Sequence, residues 1–270
     1  MNERPKLFCK YRTWKAAVER DRKTGEYVER NRTKELLLKA EFFCQPPRFF
    51  DDPHDGLQGA RPTGGPRDID RFILNNLRGV PEIMRKHGLS SLTQLGSVKD
   101  AEDVPVLARL ARKNSRRKTR VLSLSADHAN ELMWSFYADN HRGICLCFDS
   151  EHPFFANARS VDYVDDPTTI PVCKDGHLAS DPLLYCKGRA WEWQKEWRIV
   201  WADEEPKLVP FPRDALKAVV VGDWFVQPWF DDLIQSLIQC GYRVPIYQME
   251  RLPDSFAFQT VSLGEIGPKT

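Results

Sequence analysis

The chain has 270 residues, with 40 Lys and Arg against 38 Asp and Glu for a net charge of +2, and it is 41% hydrophobic and 11% aromatic. That composition excludes a disordered chain, and the scattered Gly and Pro exclude a collagen-like or coiled-coil rod. No apolar run is long enough for a membrane helix and residues 1–12 hold no signal-peptide core, so one cytoplasmic α/β domain without membrane contact is expected.

Residues 7–11 (LFCKY) read as a strand, after which Thr13 is placed to cap a helix starting at Trp14. Residues 19–34 are charged throughout and contain Gly25, which predicts an exposed loop or an interrupted helix. Residues 36–44 read as a helix end feeding a strand, stopped by Pro46 and Pro47. Residues 51–67, dense in Gly, Pro and Asp, predict a loop. Helical spacing at 69–87, and again at about 101–118, predicts a mainly helical insertion at about 69–120. Strand patterns then dominate at 121–125, 143–149 and 160–164, with a helix at 129–138 capped by Asp127. Residues 191–201 are aromatic and charged with a strand-like C-terminal part, and strands at 215–221 and 243–248 bracket a helix at 229–240 that ends at Gly241. The fold class expected is α+β.

The seven cysteines are odd in number and include no CxxC pair, which predicts reduced thiols and no metal site. Cys145 and Cys147 alternate on a predicted strand and share one face as small core residues. There is no GxSxG, HExxH, GxxxxGK[ST] or strand-linked GxGxxG.

Three constellations remain. Residues 109–120 carry Arg109, Arg112, Lys113, Arg116, Arg117, Lys118 and Arg120 with no acid among them. Such a run is either a solvated helix face or a contact for a polyanion or another acidic partner. Ser123 and Ser125 place two hydroxyls on one strand face, followed by Trp134 and Tyr137 three apart on a helix. That set either stacks a planar ring and holds a sugar, or packs as core. Read as a strand, 191–198 (WEWQKEWR) puts Glu192, Gln194, Glu196 and Arg198 on one face and Trp191, Trp193, Lys195 and Trp197 on the other. The polar row either binds a polyhydroxylated ligand or is a surface ladder of ion pairs.

The order of residues 7–12 (LFCKYR), 49–55 (FFDDPHD), 121–125 (VLSLS), 132–139 (LMWSFYAD) with 141–145 (HRGIC), and 191–198 (WEWQKEWR) resembles the bacterial domain of unknown function family 2971. The resemblance spans roughly residues 7–250. Asp51-Asp52 stands where that family usually has Asn-Asp, His54 where it has Phe, and Gln194 where Glu is commoner. The family's motif order is in turn similar to that of ADP-ribosyltransferases. This likeness implies an ADP-ribosyltransferase-like split β-sheet core with a helical insertion. It implies a bacterial toxin or defence enzyme that cleaves the nicotinamide–ribose bond of NAD, with NAD as substrate and no metal. Carried over, Arg12, or Tyr11 in its place, meets the pyrophosphate. Ser123 or Ser125 holds the nicotinamide ribose, and Trp134 or Tyr137 stacks the nicotinamide. Glu196 is the catalytic carboxylate and Gln194 orients the acceptor, a nucleic acid or protein docked through residues 109–120. The alternatives are a non-catalytic nucleotide- or nucleic-acid-binding module and an NAD glycohydrolase.

Overall fold

Short runs of Val, Ile, Leu, Cys and Phe build the centre of one large mixed sheet, because such side chains fill both of its faces. A computed structural model describes residues 3–21, 24–52, 55, 61–63, 119–165, 169–171, 184–201, 208–255 and 257–266. The strands before the insertion are β1 (Leu7–Arg12), β2 (Ala17–Arg20), β3 (Tyr27–Arg30), β4 (Glu41–Phe43) and β5 (Arg61–Thr63), with helix α1 (Arg32–Lys39) between β3 and β4. Next come β6 (Arg120–Ser125), helix α2 (Glu131–Tyr137), β7 (Ile144–Asp149), β8 (Arg159–Ser160), β9 (Asp162–Val164), β10 (Thr169–Pro171) and β11 (Cys186–Gly188). The chain continues with β12 (Glu196–Trp201), β13 (Leu208–Pro210), β14 (Leu216–Val221), helix α3 (Gln227–Gln239), β15 (Pro245–Arg251) and β16 (Phe258–Glu265). Eight strands form the main sheet in the order β16-β15-β14-β7-β1-β6-β12-β8. Its pairs are antiparallel except β14 with β15. The molecule is thus mixed α/β with few helices among the described residues, in keeping with an α+β class. No helix among them is long and apolar enough to cross a membrane.

The two faces of the sheet bury different material. On one side Phe8, Phe42, Phe148, Phe155, Phe211 and Trp197 pack under α1 and α3. On the other, Cys9, Tyr11, Cys145, Cys147 and Val220 pack under Met133 and Trp134 of α2. The strands β1 and β7 pair along six residues, but β1 and β6 meet at a single pair, Cys9 with Ser125. Beyond that pair the two strands part, and the space between them belongs to the candidate site.

The turn after α2 fixes that helix over β1. Asp139, Asn140 and His141 all adopt left-handed φ, at 50°, 51° and 65°, a region that non-glycine residues enter rarely. Gly143 follows because a Cβ there would lie 2.3 Å from the Arg12 carbonyl oxygen and 2.8 Å from Ala138. Only glycine lets β1, the end of α2 and the start of β7 approach so closely.

Several expectations are corrected. Residues 14–34 hold no helix from Trp14; β2 and β3 form an antiparallel hairpin, with Gly25 at φ 78° in its turn. Alternation across the ribbon tolerates this density of charge where a buried helix face would not. The expected loop at 51–67 contains β5, which pairs in parallel with β10. Helix α2 is capped by Asn130, whose side chain accepts from Met133 N, and Asp127 instead closes a turn onto Ala129 N. The C-terminal part of 191–201 is strand β12 as expected, but 191–198 is not one strand: residues Arg189–Gln194 form a 3-10 helix, Lys195 turns left-handed, and only then does β12 begin. Strand β16 lies beyond the last element the sequence predicts. The expected helices at 69–87 and 101–118 lie outside the described residues, as do His54 and residues 109–118 of the basic run.

Candidate functional site

Where β1 and β6 part, a cleft of about 490 Å³ opens. Its walls come from β1 (Lys10, Arg12), β6 (Ser123), α2 (Tyr137), the 3-10 turn (Gln194) and the first residue of β12, Glu196, with Asp51 and Asp55 also lining it. Strand alternation explains the arrangement: Trp197 and Ile199 point into the phenylalanine core, so Glu196 and Arg198 point the other way. The pairing of β12 with β6 sets Glu196 beside Ser125 and Arg198 beside Ser123.

Behind the cleft wall lies a buried ionic network. Arg198, fully buried, donates from Nε and Nη2 to the two oxygens of Glu196 at 2.7 and 2.8 Å. Its Nη1 and Nη2 donate to the two oxygens of Asp55 at 2.8 and 2.6 Å. The remaining Nη1 hydrogen reaches the Leu184 carbonyl at 2.7 Å. All five guanidinium donors are therefore used, in two bidentate forks. Lys187 Nζ completes the set, donating to Gln194 Oε1 at 2.6 Å, Asp55 Oδ2 at 3.0 Å and Glu196 Oε2 at 3.2 Å. Two cations and two carboxylates cancel, which is how charge survives burial.

The network sets the state of Glu196. Burial by itself would push its carboxyl up, but Arg198 and Lys187, helped by a hydrogen bond from Ser123, bring it down to about 2. The group is a fixed carboxylate, locked in orientation. Burial acts against the Arg198 cation, yet Glu196 and Asp55 outweigh it and hold the guanidinium charged. Gln194 spans the wall: its Nε2 donates to Tyr137 Oη at 2.8 Å while its Oε1 accepts from Lys187. Burial, followed by the nearby Asp51 and Glu196 charges, pushes the Tyr137 phenol well up, so it stays protonated. Glu196 N–H donates to Tyr163 Oη at 2.8 Å, tying β12 to β9.

On the opposite wall Lys10 Nζ donates to the Ser123 carbonyl at 2.7 Å. Its pKa falls to about 8, because the ammonium is desolvated and Arg12 lies near. Arg12 donates Nε to Thr33 Oγ1 at 3.3 Å and, among the described residues, makes no ion pair. An adjoining groove of about 1010 Å³ is lined by seven cations, including Lys10, Arg12 and Arg120, against four carboxylates. A strongly positive flank therefore borders the cleft.

Most of the predicted site residues come together here, but not in equal standing. Arg12, Ser123, Tyr137, Gln194 and Glu196 all line the cleft. Tyr11 and Ser125 line it as well, yet their hydroxyls are committed, Tyr11 to the Asp127 carbonyl at 2.7 Å and Ser125 to the Gln194 carbonyl at 2.8 Å. Trp134 is a correction. It is fully buried, with Nε1 donating to the His128 carbonyl at 2.8 Å and Tyr11 edge-on against its ring, so it offers no ring face to a ligand. Spacing by three on a helix does not separate a wall residue from a core residue one turn away. Glu192, expected beside Gln194 and Glu196, is exposed on the 3-10 turn.

Sequence reasoning missed Asp55, Lys187 and Lys10. Asp55 ends the 49–55 motif and Lys187 stands beside Gly188, but nothing local says that Asp55 meets an arginine 143 positions away. No family model, curated protein or solved structure matches the chain.

Proposed function

We propose that the cleft binds NAD and that the protein is an ADP-ribosyltransferase-like enzyme acting on the bond between C1′ of the ribose and the nicotinamide nitrogen. The observation that carries this reading is the meeting of Arg12, Ser123 and Glu196, from three distant chain segments, on one cleft. Breaking that bond leaves positive charge on the sugar, as in glycoside hydrolysis, while the electron pair leaves with neutral nicotinamide. Glu196, ionised and held rigidly by Arg198, is suited to stabilise that charge and to accept a hydrogen bond from a ribose hydroxyl. Ser123 is placed for the same sugar, Tyr137 for the nicotinamide ring, and Gln194 for the incoming acceptor. Lys10 and Arg12 face the pyrophosphate with positive charge, the guanidinium able to engage two oxygens at once. The acceptor's proton passes to solvent as the new C1′ bond forms. On this reading the split between β1 and β6 is the divided sheet of the ADP-ribosyltransferase fold, and the positive groove is where a polyanionic acceptor docks.

One observation favours a second reading. Both Glu196 oxygens already accept from Arg198 and Lys187, a pairing that also suits a non-catalytic nucleotide-binding module. NAD labelled separately in the nicotinamide and in the adenylate distinguishes them. Release of labelled nicotinamide, about 10²–10³-fold slower in Glu196→Gln, is the expected result. Saturable binding without release establishes the binding module instead. Adenylate label ending only in free ADP-ribose identifies water as the acceptor, and hence a glycohydrolase.

A further inference from the structure

Three thiols meet on the sheet face opposite the phenylalanine core. Cys9 of β1 stands directly across from Cys147 of β7, and Cys145, two positions earlier on β7, points the same way. Their sulfur atoms all lie within 4.8 Å of one another, and each residue is at most 1% exposed. Among the described residues this is the sole grouping of three or more His, Cys, Asp or Glu side chains at such range. The shell around it is Tyr11, Met133, Trp134, Val220 and Met249.

We propose that Cys9, Cys145 and Cys147 form a closed three-sulfur site for a soft monovalent cation, Cu(I). Sulfur ligands select thiophilic ions over Mg²⁺, Ca²⁺ or Mn²⁺. Structural Zn²⁺ sites take four ligands, and no fourth His, Cys, Asp or Glu joins the three within that range among the described residues. Three converging sulfurs suit the low coordination number of a soft monovalent ion, whose single charge is also the least costly to bury. In the binding step one thiol proton leaves to solvent, a sulfur–copper bond forms, and no electron is transferred. Cys9 also lines the cleft, which supplies the entry path that so deeply buried a site needs.

This site does not depend on the NAD reading, and its test needs no turnover. The full-length, fully reduced protein is titrated anaerobically with Cu(I) against a chromogenic Cu(I) chelator. The expected result is uptake of one Cu(I) per chain, with a thiolate-to-copper charge-transfer band in the near ultraviolet and X-ray absorption showing coordination by sulfur alone, at three atoms. Zn(II) offered alone is not retained against a chelator. Cys147→Ser fails to hold Cu(I) against the competitor, while Cys240→Ser, which alters a free thiol outside the trio, binds as the parent does. Thermal unfolding of each variant shows whether it is folded, and if Cys147→Ser is not, the absorption data on the parent decide alone. Failure of the parent to take up Cu(I), coordination by fewer than three sulfurs, or undiminished binding by folded Cys147→Ser overturns the proposal.

Discussion

Strand β12 buries both of its faces, one in hydrocarbon and the other in charge. Trp197 and Ile199 are 7% and 3% exposed against the phenylalanine core, and Glu196 and Arg198 are 7% and 0% exposed against Asp55 and Lys187. The first face is held by apolar burial, which is non-directional and roughly proportional to area. Shaving one methyl from it leaves a slightly weaker version of the same core. The second is held by geometry, because taking ions out of water costs several kcal/mol each and is offset only when every donor finds its acceptor. Arg198 spends all five donors, so removing any member leaves a buried charge unanswered. Equal burial therefore does not mean equal tolerance, and the intolerant face is the one that meets the cleft.

Four measurements can break or sharpen that contrast. The largest effect is expected for Arg198→Met, which takes from Asp55 and Glu196 the guanidinium that pairs with both carboxylates and leaves them Lys187 among the described cations. Urea unfolding should show a loss of about 3–5 kcal/mol; a loss below that of an apolar trim on the other face would remove the distinction. Next is Glu196→Gln, close in shape but without charge. Nicotinamide release from NAD should fall about 10²–10³-fold, the usual cost of removing a fixed electrostatic stabiliser, while the folded state persists because Arg198 keeps its fork to Asp55.

The third measurement is pH. The Glu196 carboxyl titrates near 2 in the folded chain, against an ordinary 4.5, so across that window the unfolded chain binds more protons. Its contribution to stability is complete above pH 4.5 and drains away as pH falls towards 2. Acid unfolding of the parent should steepen in that window, and Glu196→Gln should flatten it. A trim of the apolar face should leave the slope as it was. The smallest effect is that trim itself, Ile199→Val, with an expected loss of about 0.5–1.5 kcal/mol that does not vary between pH 3 and pH 7. A pH-dependent loss there would show the two faces to be coupled.

Much of the fold was legible because its signals are local. Alternation along 121–125 marked β6, and the periodic run before Gly241 marked α3. The hairpin of β2 and β3 escaped because both strands are short, charged and exposed along one edge, so no buried face prints a period on them. The stretch 191–201 shows a subtler limit. Strand alternation from Trp191 would bring Gln194 and Glu196 to one face, and they do share the cleft, but Gln194 arrives there from a 3-10 turn through a left-handed Lys195. Trp134 and Tyr137 fail to separate by spacing for the converse reason: one sequence interval is compatible with either wall or core, and the position of β1 beneath the helix decides.

By itself the sequence determined which residues alternate, so Trp197 and Ile199 had to part from Glu196 and Arg198, and Ser123 from Leu124. Backbone geometry enforces that within a few residues. Only the tertiary structure decided that Asp55 and Lys187 close around Arg198, and that Cys9 joins Cys145 and Cys147. Those contacts link segments with no common period. For the thiols the register decides, because β1 pairs fully with β7 yet touches β6 at one residue pair. It sets Cys9 across from Cys147 along the β7 edge of β1 and leaves the cleft open along its β6 edge.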